Sequence, residues 1–385
     1  MIVIKNAKIL TVTNGEIDNG TVLVENGKIV AVGQNVPIPE SAEVVDAAGK
    51  YLVPGFIDCH CHVGIVPEEV DWEYSDVNET TDPVTGHLRA IDGIDFSDRG
   101  FADAIDGGVT ALLIHPGSAN VIGGTDIAVK SWGPSVEDRI LRNPAGMKMA
   151  WTAGGRRASR QGKNQPYPTT RMGVAAILRQ YLFEAREYLK KKEAGQEFPA
   201  KSVSQLMTLE ALAMVLKREI PARIHSMTPR DFQAIIRLQD EFGFDFTIEH
   251  GDEAHLIAPE LAKRGIGVVY GPFLGDRWVP MFPNSNPQAA KILAESGVLV
   301  AFQTDHPVIS IRDLRLQAAI CVKHGLNPDD ALKMLTINAA KIMGLDKRIG
   351  SIEVGKDADF TIFSDHPLLV KARVEQVYIN GIKVK

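Results

Sequence analysis

His60-Cys61-His62 ends the run YLVPGFIDCHCH at 51–62, and two histidines one residue apart on a strand make a chelating pair. Side chains alternate along an extended backbone. His60 and His62 therefore share one face, roughly 7 Å apart, and Cys59 and Cys61 are expected together on the other. That parity makes the cysteines poor ligands and casts them as small apolar residues packed behind the strand. Three further candidates stand where strands finish: His225 closes PARIH, His250 closes DFTIEH and Asp305 closes VLVAFQTD. One strand–helix unit separates 225 from 250, and two separate 250 from 305. A lone histidine is often a hydrogen-bonded core residue, but four histidines and an aspartate all arriving at strand ends point to a metal. Neutral imidazole with carboxylate suits zinc, manganese, iron or cobalt.

The elements that would position these groups alternate strand and helix from 53 to 346. Thr228 can cap a helix that has Pro229 at its first position and Gly243 as its stop. The strand FTIEH follows, then helix APELAKR, strand GIGVVYG, helix PQAAKILAE, strand VLVAFQTD and a helix over 312–324. Upstream, 171–190 reads as a long amphipathic helix with Val174, Leu178, Tyr181, Ala185 and Leu189 on one stripe. Such repeated units need parallel strands with right-handed crossovers. The expected fold is α/β, a (β/α)8 TIM barrel over 53–346 with its active site at the C-terminal ends of the strands. Both chain ends read differently. Residues 1–52 and 347–385 are short strands broken by turns, with Asn26-Gly27 and Asn380-Gly381 as hairpin signals. One small β-sandwich assembled from both ends is expected.

The chain has 385 residues, 45% hydrophobic and 23% charged, with 42 basic against 48 acidic side chains and a net charge of −6. That balance weighs against nucleic acid and anionic membrane as partners and leaves a small-molecule substrate. No apolar run approaches the roughly 18 residues of a membrane span. Three cysteines cannot build a disulfide framework, and the first residues run straight into strand-like sequence, so a cytoplasmic location is expected. Assembly into a homo-oligomer is left open.

Several stretches resemble the amidohydrolase superfamily, specifically its imidazolonepropionase-related branch: PGFIDCHCH at 54–62, IH at 224–225, EHGDEAH at 249–255, TDHP at 304–307, and TINAAKIMGL…GSIEVGKDADFTIF over 336–363. The resemblance covers nearly the whole chain and is far more specific for the superfamily than for a substrate. It implies that His60, His62 and Asp305 hold one divalent metal, zinc by preference with iron or manganese as alternatives. His225 and His250 would hold a second when one is present. Binuclear members add a carboxylated lysine from the fourth strand as a bridge. Lys148 in GMKMAWT is the candidate here, and Lys130 in TDIAVKSWG its rival. Imidazolonepropionase resembles a one-metal case, which leaves the metal count open. The implied reaction is hydrolysis of an amide or cyclic-amide C–N bond by metal-activated water. Asp305 would shuttle the proton to the leaving nitrogen, and His250, if not a ligand, would polarise the carbonyl.

Substrate choice is expected from loops. HPGSANVIGG at 115–124 offers His115 and Asn120, and GGRRASRQGKNQPYPTTR at 154–171 offers Arg156 and Arg157 among five basic residues with no acid. Arginine forks suit a substrate carboxylate. Tyr270, ending the probable seventh strand, should face the pocket by parity, and 64–98 reads as a lid or a surface contact. His306 should point away from Asp305. Alternative readings are a two-metal dipeptidase or N-acyl amino acid hydrolase, a deaminase, a lactonase, or, in another class, a barrel that has lost catalysis and binds or assembles instead.

Overall fold

Eight strands make the barrel sheet of this computed structural model, which describes residues 1–68, 75–153, 167–274 and 283–385. In chain order they are β6 (Phe56–Cys61), β7 (Val109–Ile114), β8 (Ile122–Lys130), β9 (Ile140–Ala150), β10 (Ala222–Ser226), β11 (Phe246–His250), β12 (Gly267–Tyr270) and β13 (Val300–Phe302), each paired with the next. Past the end of β13, the seam closes through two backbone bonds. Asp305 N–H donates to the His60 carbonyl at 3.0 Å, and His62 N–H donates to the His306 carbonyl at 2.9 Å.

The barrel departs from the all-parallel expectation at its third strand. β8 runs antiparallel to both β7 and β9. The reason is length: a parallel crossover needs about a dozen residues or more, and only 115–121 lie between β7 and β8. Gly123 and Gly124, expected in a loop, are therefore inside a strand. Segment 75–98 is not a free-standing lid. It lies along β8, with Thr85 N–H donating to Ile122 and Thr125 N–H to Leu88.

Between Asp58 and Cys61, β6 carries one extra residue, after β7 has carried one at Thr110. Ile57 and Asp58 match Ala111 and Leu112, but the next pair is Cys61 with Ile114, so three steps on β6 face two on β7. A bulge of this kind resets the alternation of side chains. Ile57 and Cys59 lie in the inner layer with Leu113, Val269 and Ala301, whereas Cys61 joins the outer layer with Leu112 and Ile114. The two cysteines thus do not share a face, contrary to the parity expectation. Asp58 braces the bulge by accepting from His60 N–H at 3.1 Å, Thr304 N–H at 3.3 Å and the Thr304 hydroxyl at 2.5 Å. Burial pushes its carboxyl up to about 7 despite these bonds.

Helices cover the outside. The one over Arg171–Glu193 buries Val174, Ile177, Leu178, Leu182, Ala185 and Tyr188, with Tyr181 and Leu189 at the margins of that stripe. Pro229–Phe242 begins after Thr228 and ends at Gly243, whose φ of 77° is the left-handed conformation that favours glycine. A short helix, Ile337–Met343, plugs the floor of the barrel, placing Ala339, Ala340 and Met343 against Ile57, Cys59 and Leu113.

The remaining strands form one sheet from both chain ends: β1 (Ile2–Leu10), β2 (Glu16–Glu25), β3 (Lys28–Gly33), β4 (Glu43–Asp46), β5 (Tyr51–Pro54), β14 (Phe360–Phe363), β15 (Val374–Ile379) and β16 (Ile382–Lys383). All eight belong to a single hydrogen-bonded sheet, where two facing sheets were expected. It wraps a core of Ile4, Ile9, Val22, Leu52, Phe360 and Tyr378. Both Asn-Gly turns form, and they touch: a Cβ on Gly27 would sit 3.2 Å from the Asn380 carbonyl oxygen. Lys130, at the end of β8, ties this sheet to the barrel, with its ammonium 2.8 Å from Asp357 and 2.9 Å from Asp359.

Candidate metal centre

At the mouth of the barrel the bulge in β6 turns His60 and His62 toward Asp305. His60 Nε2 lies 3.4 Å and His62 Nε2 3.2 Å from Asp305 Oδ1. On each ring the other nitrogen faces an acceptor, which favours hydrogen there. His60 Nδ1 is 2.9 Å from Glu249 Oε2, and His62 Nδ1 is 2.7 Å from the His115 carbonyl. With hydrogen on Nδ1, each Nε2 offers a lone pair, and so does the carboxylate oxygen. Three acceptors this close repel one another without positive charge among them, and here the Lys148 amine lies 2.9 Å from His60 Nε2, where it or a metal ion can supply that charge. Tetrahedral zinc with bonds of about 2.0–2.1 Å holds its ligand atoms about 3.3–3.4 Å apart, so the spacing fits such an ion.

Electrostatics agrees with this reading. Burial, reinforced by the Lys148 ammonium, holds His60 well below the usual imidazole range and so keeps it neutral. Asp305 is partly buried, which favours its protonated form, but His250, His62 and Lys148 outweigh this and hold the carboxyl below its ordinary value. Burial raises the thiols of Cys59 and Cys61, so neither supplies the thiolate that binds metals.

The structure brings the other predicted ligands to the same place. Lys148 on β9 is fully buried with Nζ 2.9 Å from His60 Nε2. The rings of His225 and His250 are 3.9 Å apart, and that of His250 is 5.1 Å from His60. Lys130, the rival lysine, is instead at the junction with the terminal sheet.

The expected substrate residues fare differently. His115 is not on an open loop. It is buried at the end of β7, its ring 4.3 Å from His60 and its Nδ1 2.9 Å from Asp126 Oδ2. Tyr270 does not face the pocket: Val269 takes the inner position on β12, and Tyr270 packs in the outer layer, its hydroxyl donating to the Asn286 carbonyl at 2.8 Å. Asn120 is buried and donates to the Glu79 carbonyl and to Thr85, tethering the 79–85 segment. It also lines a cavity of about 320 Å³, together with Ile65, Asp76, Asn78 and Gly117. Arg156 and Arg157 lie outside the described residues. Arg171 is paired with Asp231 at 2.5 Å. His306 is buried, with Nε2 3.0 Å from Glu68.

Sequence reasoning assigned no role to Glu249, Asp126 or Asp58, all fully buried around the centre. The signal was present: a carboxylate inside an otherwise apolar barrel strand needs a buried partner. His60, His115 and Glu249 also bring donor atoms within 4.8 Å of one another. The His60 Nδ1 proton lies against Glu249, so this group is a hydrogen-bonded layer beneath the centre. Asp252 follows His250 at the rim, and burial together with Glu253 and Asp305 pushes its carboxyl up to about 7.

Comparison with known proteins agrees with this geometry. The model of the amidohydrolase family matches residues 51–384. The chain belongs to the amidohydrolase family. Within the superfamily it falls in the imidazolonepropionase-related branch. Imidazolonepropionase of Geobacillus kaustophilus is 25% identical over 386 residues, covering 91% of this chain and 85% of that protein. Amidohydrolase tasK of Hapsidospora irregularis is 31% identical over 94% of this chain, which spans only 39% of that longer protein. An adenine deaminase of Moorella thermoacetica is 25% identical over 98% of this chain, and the chain spans 56% of it. Among solved structures, an amidohydrolase from Thermotoga maritima superposes with a TM-score of 0.93 at 42% identity, each chain fully covered.

Proposed function

We propose that this amidohydrolase is a metal-dependent enzyme of the cytoplasm that hydrolyses an amide or cyclic-amide C–N bond of a small substrate. The observation that carries the reading is the convergence of His60 Nε2, His62 Nε2 and Asp305 Oδ1, three acceptors 3.2–3.4 Å apart across the two measured edges. A divalent cation held there, zinc by preference, supplies a Lewis acid that acidifies water and polarises a carbonyl. The chain's own groups do the rest. Asp305, ionised and at the rim, accepts the water proton and passes it to the departing nitrogen. His250, a few ångströms from His60, either serves as a ligand or donates to the developing oxyanion. If the substrate carries a carboxylate, Arg156 and Arg157 are its proposed partners.

A two-metal form is the second reading, and one observation favours it. Lys148 is placed among the same ligands, 2.9 Å from His60 Nε2, where a carboxylated side chain would become a further ligand near His225 and His250. The test is elemental analysis of protein prepared with bicarbonate and divalent metal, alongside a Lys148→Ala variant and a panel of cyclic amides, acylated amino acids, dipeptides, aminopurines and lactones. Two ions falling to one in the variant support the bridge, and one ion in both proteins removes it. No ion after supplementation, with no turnover of any compound, sinks the enzymatic reading in favour of a non-catalytic barrel.

A further inference from the structure

The barrel interior below the metal centre holds a column of buried polar groups that reaches the floor. Arg223 on β10 donates through Nη2 to the Ile342 carbonyl, in the floor helix, at 2.9 Å. Its Nη1 lies 3.4 Å from the Thr247 hydroxyl, which donates to Glu249 Oε1 at 2.5 Å. The other oxygen of Glu249 accepts the Nδ1 proton of His60 at 2.9 Å. Arg223, Glu249 and His60 are fully buried, and Thr247 nearly so. A buried carboxylate is costly to keep, and leucine or valine would fill a barrel interior without that cost.

The two nitrogens of the His60 ring meet groups of opposite character. On one side is an acceptor-only carboxylate, and on the other the Lys148 ammonium, which has no lone pair to accept a proton. Only the tautomer with hydrogen on Nδ1 satisfies both. We propose that Glu249, steered by Thr247 and Arg223, is a positioning residue that fixes the His60 ring in the orientation and tautomer that offer Nε2 to a metal. The inference rests on the metal-centre reading above but concerns a residue that touches neither metal nor substrate. Outer carboxylates of this kind typically change metal affinity by about 10- to 100-fold.

The test uses Zn²⁺ itself, titrated into metal-free full-length protein against a chromophoric chelator, with wild type, Glu249→Gln and Thr247→Val compared. Glu249→Gln is expected to weaken Zn²⁺ binding by about 10- to 100-fold, and Thr247→Val by a few-fold. The Co²⁺-loaded form of Glu249→Gln should show shifted visible bands. Spectra of isotope-labelled histidine in the metal-free protein should show His60 protonated on Nδ1 in wild type, with that Nδ1–H resonance moved upfield in the variant, where a neutral amide oxygen replaces the carboxylate. A purely structural role would lower the unfolding temperature of the metal-free protein and leave this resonance unmoved. Unchanged affinity, bands and Nδ1–H resonance in Glu249→Gln overturn the proposal while leaving the metal-centre reading intact. If Glu249→Gln does not fold, Thr247→Val decides: weakened binding supports the proposal and wild-type binding overturns it. A wild-type protein that binds no Zn²⁺ overturns the metal-centre reading and this proposal with it.

Discussion

Two lysines, Lys130 and Lys148, are buried to the same degree in neighbouring strands of one barrel, yet their surroundings differ. Lys130 faces carboxylates: Asp357 at 2.8 Å and Asp359 at 2.9 Å, with Lys28 and Arg348 completing the charge balance around Asp357. Lys148 has an imidazole nitrogen at 2.9 Å and lies in the field of Asp305, among groups that converge on a cation position. The same residue type under the same burial is a fastener in one place and a member of the candidate metal centre in the other. Partners, not burial, distinguish them.

The sharpest way to break this contrast is at the centre itself. Asp305→Asn should lower turnover by about 10²- to 10⁴-fold, the usual contribution of a general acid–base, while leaving the unfolding temperature close to wild type. A comparable loss of stability in thermal unfolding would instead place Asp305 with the fasteners. Next, Lys130→Met should cost about 3–5 kcal/mol in urea unfolding, because it strands buried carboxylates. Metal bound per folded molecule should not change. Lys148→Met should do the reverse: it should cost under about 1 kcal/mol in the metal-free protein, since it removes a buried charge, and should reduce metal content. Equal destabilisation by the two lysine substitutions would erase the distinction.

The smallest effect is one of pH. Burial raises the Asp357 carboxyl, but Lys130, Lys28 and Arg348 overcome this and bring it down to about 2. A carboxyl depressed in the folded state adds stability above its unfolded value, and that stability is lost as pH falls from about 4 toward 2. Asp359 opposes part of this, because burial holds its carboxyl above the ordinary value. Urea unfolding at about pH 5 and about pH 2.5 should show a modest loss in wild type and a smaller one in Lys130→Met. A steeper loss in the variant would contradict the assignment of Lys130 as the partner of Asp357.

Much of the candidate centre was legible in the sequence because the residues that converge there stand at strand ends, and strand ends can be counted. His60, His62, His225, His250 and Asp305 needed only a strand–helix rhythm. The terminal strands were legible through Asn26-Gly27 and Asn380-Gly381. What failed was parity. Alternation along β6 is interrupted by one residue whose presence depends on β7, and no local pattern in FIDCHC announces it. The same dependence on neighbours misplaced Tyr270. The reversal of β8 could have been read, since seven residues from His115 to Val121 are too few for a helical crossover. Glu249 was quoted within EHGDEAH, but its partner His60 is 189 residues away, and only the closed barrel brings them together.

The seating of β5 between β1 and β14 has a consequence for biosynthesis. A ribosome releases Tyr51–Pro54 roughly 300 residues before Phe360–Phe363 arrives to cover that edge. Until then the nascent chain presents an open strand border, a template for wrong pairing that chaperones would have to shield. Lys130 is likewise made more than 200 residues before Asp357 and Asp359, so the incoming tail meets a charge already synthesised.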